Sequence, residues 1–261
     1  MREYIDVQQL RWLVIWAGLF VGTSILVQTR VLATTDQTIM GVIADSRAES
    51  QSNVWNWIFR LGYAQVDVLI AVAWATVLLV RRRSLVVAIP PLLIFATIVA
   101  QVILRNVVAQ PGLDRAYELR REYSAEPVGN ILDNVDALAR ETVMAATSLP
   151  QPINSTVGAS LWTYPSGHAC RVLFLALLAI HAIRKSSGRW AWLGSGWSFR
   201  SFAFLAGFVS ILVGYSTMFF GYHWPSDLLG GYLLGLVVYQ VAVGPSWESI
   251  LGIFRRSAGH G

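Results

Sequence analysis

An all-α polytopic membrane fold, a bundle of six crossing helices, is what this sequence predicts, and three observations carry it. Hydrophobic residues make up 55% of the 261-residue chain and charged residues only 13%, a balance too apolar for an ordinary soluble domain. The apolar residues gather in long runs. Runs of about 18 or more residues with few charges fit membrane helices, whereas barrel strands need only about ten. The basic residues, finally, cluster at the ends of alternate runs.

The runs cover residues 12–29, 63–80, 85–104, 168–183, 201–220 and 226–246, the fourth being short and carrying Arg171. Arg2 and Arg11 flank the first; Arg81, Arg82 and Arg83 follow the second; Arg184, Lys185, Arg189 and Arg200 separate the fourth from the fifth; Arg255 and Arg256 follow the sixth. Six crossings put all of these on one side, which the positive-inside rule makes cytoplasmic together with both termini. Arg30, Arg47 and Arg60 weaken the bias without reversing it. The formal charge of +5 and pI near 9.7 are thus explained by orientation, without a nucleic-acid partner. The expected location is a bacterial plasma membrane.

No internal repeat interrupts the chain, and residues 1–261 read as a single membrane-embedded domain. The first run has a signal-like basic flank, but its apolar core is long and no small-x-small cleavage site follows it, so it reads as an anchor. The lone Cys170 excludes an internal disulfide and a multi-cysteine metal site. On the extracytoplasmic side, 105–167 is too long for idle slack. Residues 114–126, with Arg115, Glu118, Arg120, Arg121 and Glu122 at helical spacings, read as a solvated helix or one that touches substrate. Residues 131–144 read as a second helix lying on the bundle. Residues 54–63, with Trp55, Trp57, Phe59 and Tyr63, read as interfacial. Asn154-Ser155-Thr156 fits a glycosylation sequon. Gly231 and Gly235 form a small-x3-small face suited to close helix packing.

Two of the four histidines lie at helix starts. In Pro165-Ser166-Gly167-His168, Ser166 suits an N-cap, Gly167 lets backbone N–H groups approach an anion, and the positive helix end favours phosphate. In Gly221-Tyr222-His223-Trp224-Pro225-Ser226-Asp227, Pro225 and Ser226 begin the last span and Asp227 follows His223 by four. A carboxylate there can take one imidazole N–H and leave the other nitrogen as a nucleophile. Singly, each element also reads as a capped helix start with a bystander histidine. Both, however, face the exterior in the six-span scheme, which points to a shared site.

At these residues the chain resembles the phosphatidic acid phosphatase type 2 superfamily of membrane lipid phosphatases. The resemblance covers the six-span plan and roughly residues 100 to 235. The family's second motif is complete at Pro165 to His168, and of its third motif Ser216, Gly221, His223 and Asp227 are in register. The first motif diverges: Arg105 stands where the family has lysine, and Gly112-Leu113 stand where it has Arg-Pro. Thr217 replaces the third-motif arginine. The resemblance implies His223 as nucleophile, Asp227 as its orienting partner and His168 as general acid, with Arg105, Ser166, Gly167 and Ser216 at the substrate phosphate. Arg171, one turn beyond His168, either reaches the phosphate or pairs with Asp67; Arg115 is a further candidate.

The implied reaction is hydrolysis of a lipid phosphate or pyrophosphate through a phosphohistidine, with no cofactor and no metal. Its partners are the membrane lipid substrate and the bilayer itself. The missing arginines keep open an alternative, a member with weakened or lost turnover that binds a phosphorylated lipid or a membrane partner. A transporter is disfavoured because the spans lack paired broken helices and a line of buried charges.

Overall fold

Apolar runs in lipid must satisfy their own backbone, and in the computed structural model every regular element among the described residues, 7–47, 53–108, 110, 163–185 and 196–244, is helical. In chain order these are α1 (Val7–Gln28), α2 (Ala33–Arg47), α3 (Asn53–Arg60), α4 (Ala64–Arg82), a 3₁₀ turn (Leu85–Ala88), α5 (Ile89–Leu92), α6 (Ile94–Val107), α7 (Gly167–Arg184), α8 (Gly196–Phe219) and α9 (Pro225–Val243). Six stretches among the described residues are long and apolar enough to cross a membrane: Gln8–Gln28, Ala64–Arg82, Val86–Val107, Gly167–Arg184, Gly196–Phe219 and Pro225–Val243. They coincide with the six runs, and the chain is an integral membrane protein.

The first helix begins at Val7 rather than at 12, and two further features differ from expectation. The third run is a broken helix, because Pro90 and Pro91 carry no N–H; the Leu93 N–H restarts the ladder by donating to the carbonyls of Ile89 (3.1 Å) and Pro90 (3.2 Å). The fifth span begins at Gly196, not 201. The expected helices over 114–126 and 131–144, with Arg115, lie outside the described residues, as do Gly112-Leu113, the sequon, Arg2, Arg189, Arg255 and Arg256.

Lipid tails are as apolar as side chains, so close fit rather than hydrophobicity holds spanning helices together. The fit is tightest between α7 and α9, where a Cβ added to Gly235 would stand 2.7 Å from the carbonyl oxygen of Cys170, and one at Gly231 would strike that of Ser166. The small-x3-small face is therefore consumed inside the chain. Phe174, Leu178, Leu233, Leu234 and Val238 fill the seam, joined by Phe20 and Tyr164. Helix α7 also touches α4, α6 and α8, and α1 covers α9. Outward, Val14, Leu69, Val80, Ile103, Phe204 and Ile211 stay exposed, as acyl-chain contact requires.

Alternation of the spans sorts the chain into two ends. Arg81, Arg82, Arg83, Arg184, Lys185 and Arg200 collect at one. At the other stand α2, α3, the last turn of α6, the first turn of α7, the end of α8 and the start of α9.

Candidate active site

Helix α7 starts where Ser166, extended at φ −66° and ψ 117°, accepts the Ala169 N–H on its Oγ at 3.4 Å. This is the predicted cap, and it puts His168 in the first turn. The imidazole is held from the α3–α4 corner: Phe59 stacks on it at 4.8 Å and 18°, and Tyr63 meets its edge at 6.0 Å. Gly62 lies so close that an added Cβ would be 2.6 Å from His168 Cδ2. Nε2 of His168 is buried with no hydrogen-bond partner among the described residues.

The second histidine arrives through a tight reversal. Gly221 adopts the left-handed region at φ 71°, the usual way to end a helix. Its N–H donates to Met218 O (2.8 Å) and that of Tyr222 to Thr217 O (2.9 Å). Two residues later His223 is buried at 5% exposure, its Nδ1 3.4 Å from Asp227 Oδ2. The same oxygen accepts the Trp224 N–H at 2.8 Å, so the carboxylate is fixed before it meets the ring. A carboxylate facing Nδ1 favours the Nδ1–H tautomer and concentrates the lone pair on Nε2.

The two motifs are stitched together by the Ser166 N–H, which donates to the Asp227 carbonyl at 2.9 Å. The His168 and His223 rings stand 6.4 Å apart at 64°. A nucleophile approaches its target to about 3 Å and a general acid sits about 3 Å from the oxygen it protonates. The two rings thus border one small space at this end of the bundle. Arg105, from the last turn of α6, brings a charge that acts on both His168 and Asp227.

Three other expected phosphate contacts are differently employed. Arg171 donates from Nε to Asp67 Oδ2 (3.0 Å), from one terminal nitrogen to Gln101 Oε1 (3.0 Å) and from the other to the Gly62 carbonyl (3.1 Å). Of its two readings, the pair with Asp67 is the one present, and it braces α4, α6 and α7 beneath the site. The space beside Gly167 Cα is filled by Gln101 and Arg171, so this glycine answers to packing rather than to an open anion cradle. Ser216 is fully buried and turns its hydroxyl back to Val213 O at 2.6 Å; Thr217 does the same to Gly214 O at 2.7 Å.

Residues 135–248, a stretch holding His168, His223 and Asp227, match the family model of the PAP2 superfamily. The match covers less than half of the chain and makes this segment similar to the PAP2 superfamily. The chain is 32% identical over 98 residues to an undecaprenyl-diphosphatase of Sulfolobus acidocaldarius, a match spanning 38% of this chain and 35% of that relative's length. Its fold is similar to the crystal structure of a transmembrane PAP2-type phosphatidylglycerolphosphate phosphatase from Bacillus subtilis, with TM-score 0.58 and 15% identity, covering 88% of this chain and 95% of that one.

Several residues at the site carry no signal in the sequence. Asp36, 4% exposed, accepts the Ser226 N–H at 2.9 Å and the Ser226 hydroxyl, across 190 residues of chain. Gln110 donates to Ser226 Oγ at 3.1 Å and toward Asp36 at 3.5 Å. Burial raises the Asp36 carboxyl above its ordinary 3.8, against the opposing pull of its bonds from Ser226. Tyr164, stacked on Phe20 at 6.2 Å and bonded to Ser24 Oγ at 2.9 Å, is pushed up to about 12 by burial. Phe59 and Gly62 belong to the stretch 54–63 that reads as interfacial in the sequence. No spacing rule links positions this far apart, and Asp36 shares its connection with Asp45, Glu49, Arg30, Arg47 and Arg60, so nothing in the sequence marks it out.

Proposed function

We propose that this protein hydrolyses a lipid phosphate or lipid pyrophosphate through a phosphohistidine, in a site on the extracytoplasmic side of the membrane. The observation that carries the reading is the convergence of His168, the His223–Asp227 pair and Arg105 at one end of the bundle. His223 Nε2 attacks phosphorus while the bond to the leaving oxygen breaks, and His168 gives that oxygen its proton. Asp227 holds the His223 ring and balances the positive charge it gains. Water then attacks phosphorus, passes a proton to His168, and the N–P bond breaks to release phosphate. Arg105 supplies the cationic field for the equatorial oxygens. These roles need no metal or cofactor. Ser166 contributes by capping α7 and orienting His168.

The membrane context supports a lipid substrate, because the site lies where helix mouths meet the headgroup region. The undecaprenyl-diphosphatase relative places polyprenyl diphosphates in the substrate panel alongside phosphatidic acid and phosphatidylglycerolphosphate. The arginines at the opposite end support the sidedness. In intact cells, an impermeant maleimide should label Gln37→Cys, an exposed α2 position; labelling only after lysis would reverse the orientation.

The deciding experiment is phosphate release from that panel by detergent-purified protein, with chelator present. Turnover that vanadate inhibits and His223→Ala abolishes is expected, since an oxyanion accepting imidazole as a fifth ligand mimics the transition state. Thr217 in place of an arginine favours a second reading, a lipid-phosphate binder without turnover. Binding of vanadate or lipid phosphate by a protein inactive on the whole panel would select it.

A further inference from the structure

Helix α9 opens with a capping problem. Its N-cap residue is Trp224, whose side chain has a donor and no acceptor. Pro225 at the first position has no N–H to satisfy, so the first N–H in need of a partner is that of Ser226. A buried N–H left unsatisfied there is costly. Asp36 meets it from another helix: Oδ1 takes the Ser226 N–H at 2.9 Å and Oδ2 takes the Ser226 hydroxyl. Gln110 closes the group by donating to Ser226 Oγ (3.1 Å) and toward Asp36 Oδ2 (3.5 Å), while its carbonyl accepts the Thr163 N–H at 3.1 Å.

The residue following Ser226 is Asp227. Its carboxylate takes the Trp224 N–H and faces His223; its carbonyl takes the Ser166 N–H. The turn carrying the dyad is thus pinned from α7 on one side and from α2 on the other. The two carboxylates, Asp36 and Asp227, are close enough to repel, and the bonds that Ser226 gives Asp36 and that the Trp224 N–H gives Asp227 oppose that repulsion.

We propose that Asp36 is a positioning residue for the reaction: as a cap lent to α9 by α2, it fixes the Ser226–Asp227 turn and so the angle at which His223 meets the phosphoryl group. The residue lies outside the segment matched by the family model, residues 135–248, so this chain's α2 contributes to the machinery that the matched segment carries. The inference rests on the phosphatase reading for its kinetic consequence, though not for its structural one.

Asp36→Asn is the test, because it keeps size and one acceptor oxygen while removing the charge and turning a donor toward Ser226 or Gln110. A displaced reacting group costs rate more than binding, on the order of 10- to 100-fold for shifts approaching 1 Å. Expected for the purified full chain is a kcat lower by that order with KM changed less than about twofold, and faster hydrogen exchange in a peptide spanning 222–229. Unchanged kcat, a loss carried by KM, or a kcat loss without faster exchange would each overturn the proposal. Ser226→Ala keeps the N–H bond and should cost less; an equal loss would show that the cap is not what matters. If Asp36→Asn does not accumulate, Gln110→Ala removes the brace and should give the same kcat-directed loss at smaller size, with no change or a KM loss counting against the proposal. A wild-type protein inactive on every lipid phosphate would sink the phosphatase reading, and the exchange comparison would still decide whether Asp36 holds the turn.

Discussion

Adding one methyl group at Gly62 should disable His168 without touching it chemically. The new Cβ would stand 2.6 Å from His168 Cδ2 and 2.7 Å from Val213 Cγ1, whereas carbon atoms rest at about 3.5 to 4.0 Å. Each contact is therefore about 1 Å too short by that measure. Retreat is blocked on the backbone side, since the Gly62 carbonyl accepts from Arg171 at 3.1 Å and its N–H donates to Phe59 O at 3.1 Å. Phe59, stacked on the ring at 4.8 Å, closes one face of the imidazole. The ring must move by a large part of the overlap, and a misplacement near 1 Å can cost about 100-fold in rate. Overpacking of this kind costs stability by about 1 to 3 kcal/mol. The assay is phosphate release by Gly62→Ala in wild-type and His168→Ala backgrounds, with thermal unfolding in detergent recorded alongside. The two substitutions should be non-additive, because removing the imidazole relieves the shorter of the two clashes and leaves only the one with Val213. Wild-type turnover in Gly62→Ala, or an equal fold-loss on the residual activity of His168→Ala, would refute the clamp.

Two further outcomes follow from the buried polar groups. Arg171→Met strands Asp67, whose side chain is 2% exposed, and should destabilise by about 3 to 5 kcal/mol, with Arg171→Met/Asp67→Leu recovering most of the loss; thermal unfolding of the single and double variants checks this. Tyr164→Phe keeps the Phe20 stack but loses the Ser24 bond, costing about 1 kcal/mol at neutral pH. The Tyr164 phenol is raised from 10.0 to about 12, so between those values the folded chain holds a proton that the unfolded chain has released. Its contribution to stability is therefore lost as pH rises through that window, and the gap between wild type and Tyr164→Phe should narrow between pH 8 and pH 11 in detergent melts.

Much of the protein was legible in its sequence for reasons that are local. Spanning helices announce themselves because lipid forces every backbone group to pair within its own segment, which is why six runs became six crossings. The Ser166 cap and the first-turn position of His168 are likewise consequences of helix geometry, and Asp227 meets His223 because a first-turn carboxylate turns back to the residues just before its helix, all readable from neighbours in the chain. The break at Pro90-Pro91 could have been read the same way from the missing N–H groups.

What the sequence left open depends on groups that are distant in the chain and adjacent in space. Arg171 offered two readings because an arginine inside an apolar run must find a partner, yet only the fold shows Asp67, Gln101 and the Gly62 carbonyl converging on it. Gly167 looked like room for an anion and proved to be room for Gln101 and Arg171, and the Gly231–Gly235 face suited to close helix packing is spent on α7. Asp36 meets Ser226 across 190 residues. A donor without an acceptor in its own turn leaves a demand that the sequence states; which residue answers it is decided by how the helices pack.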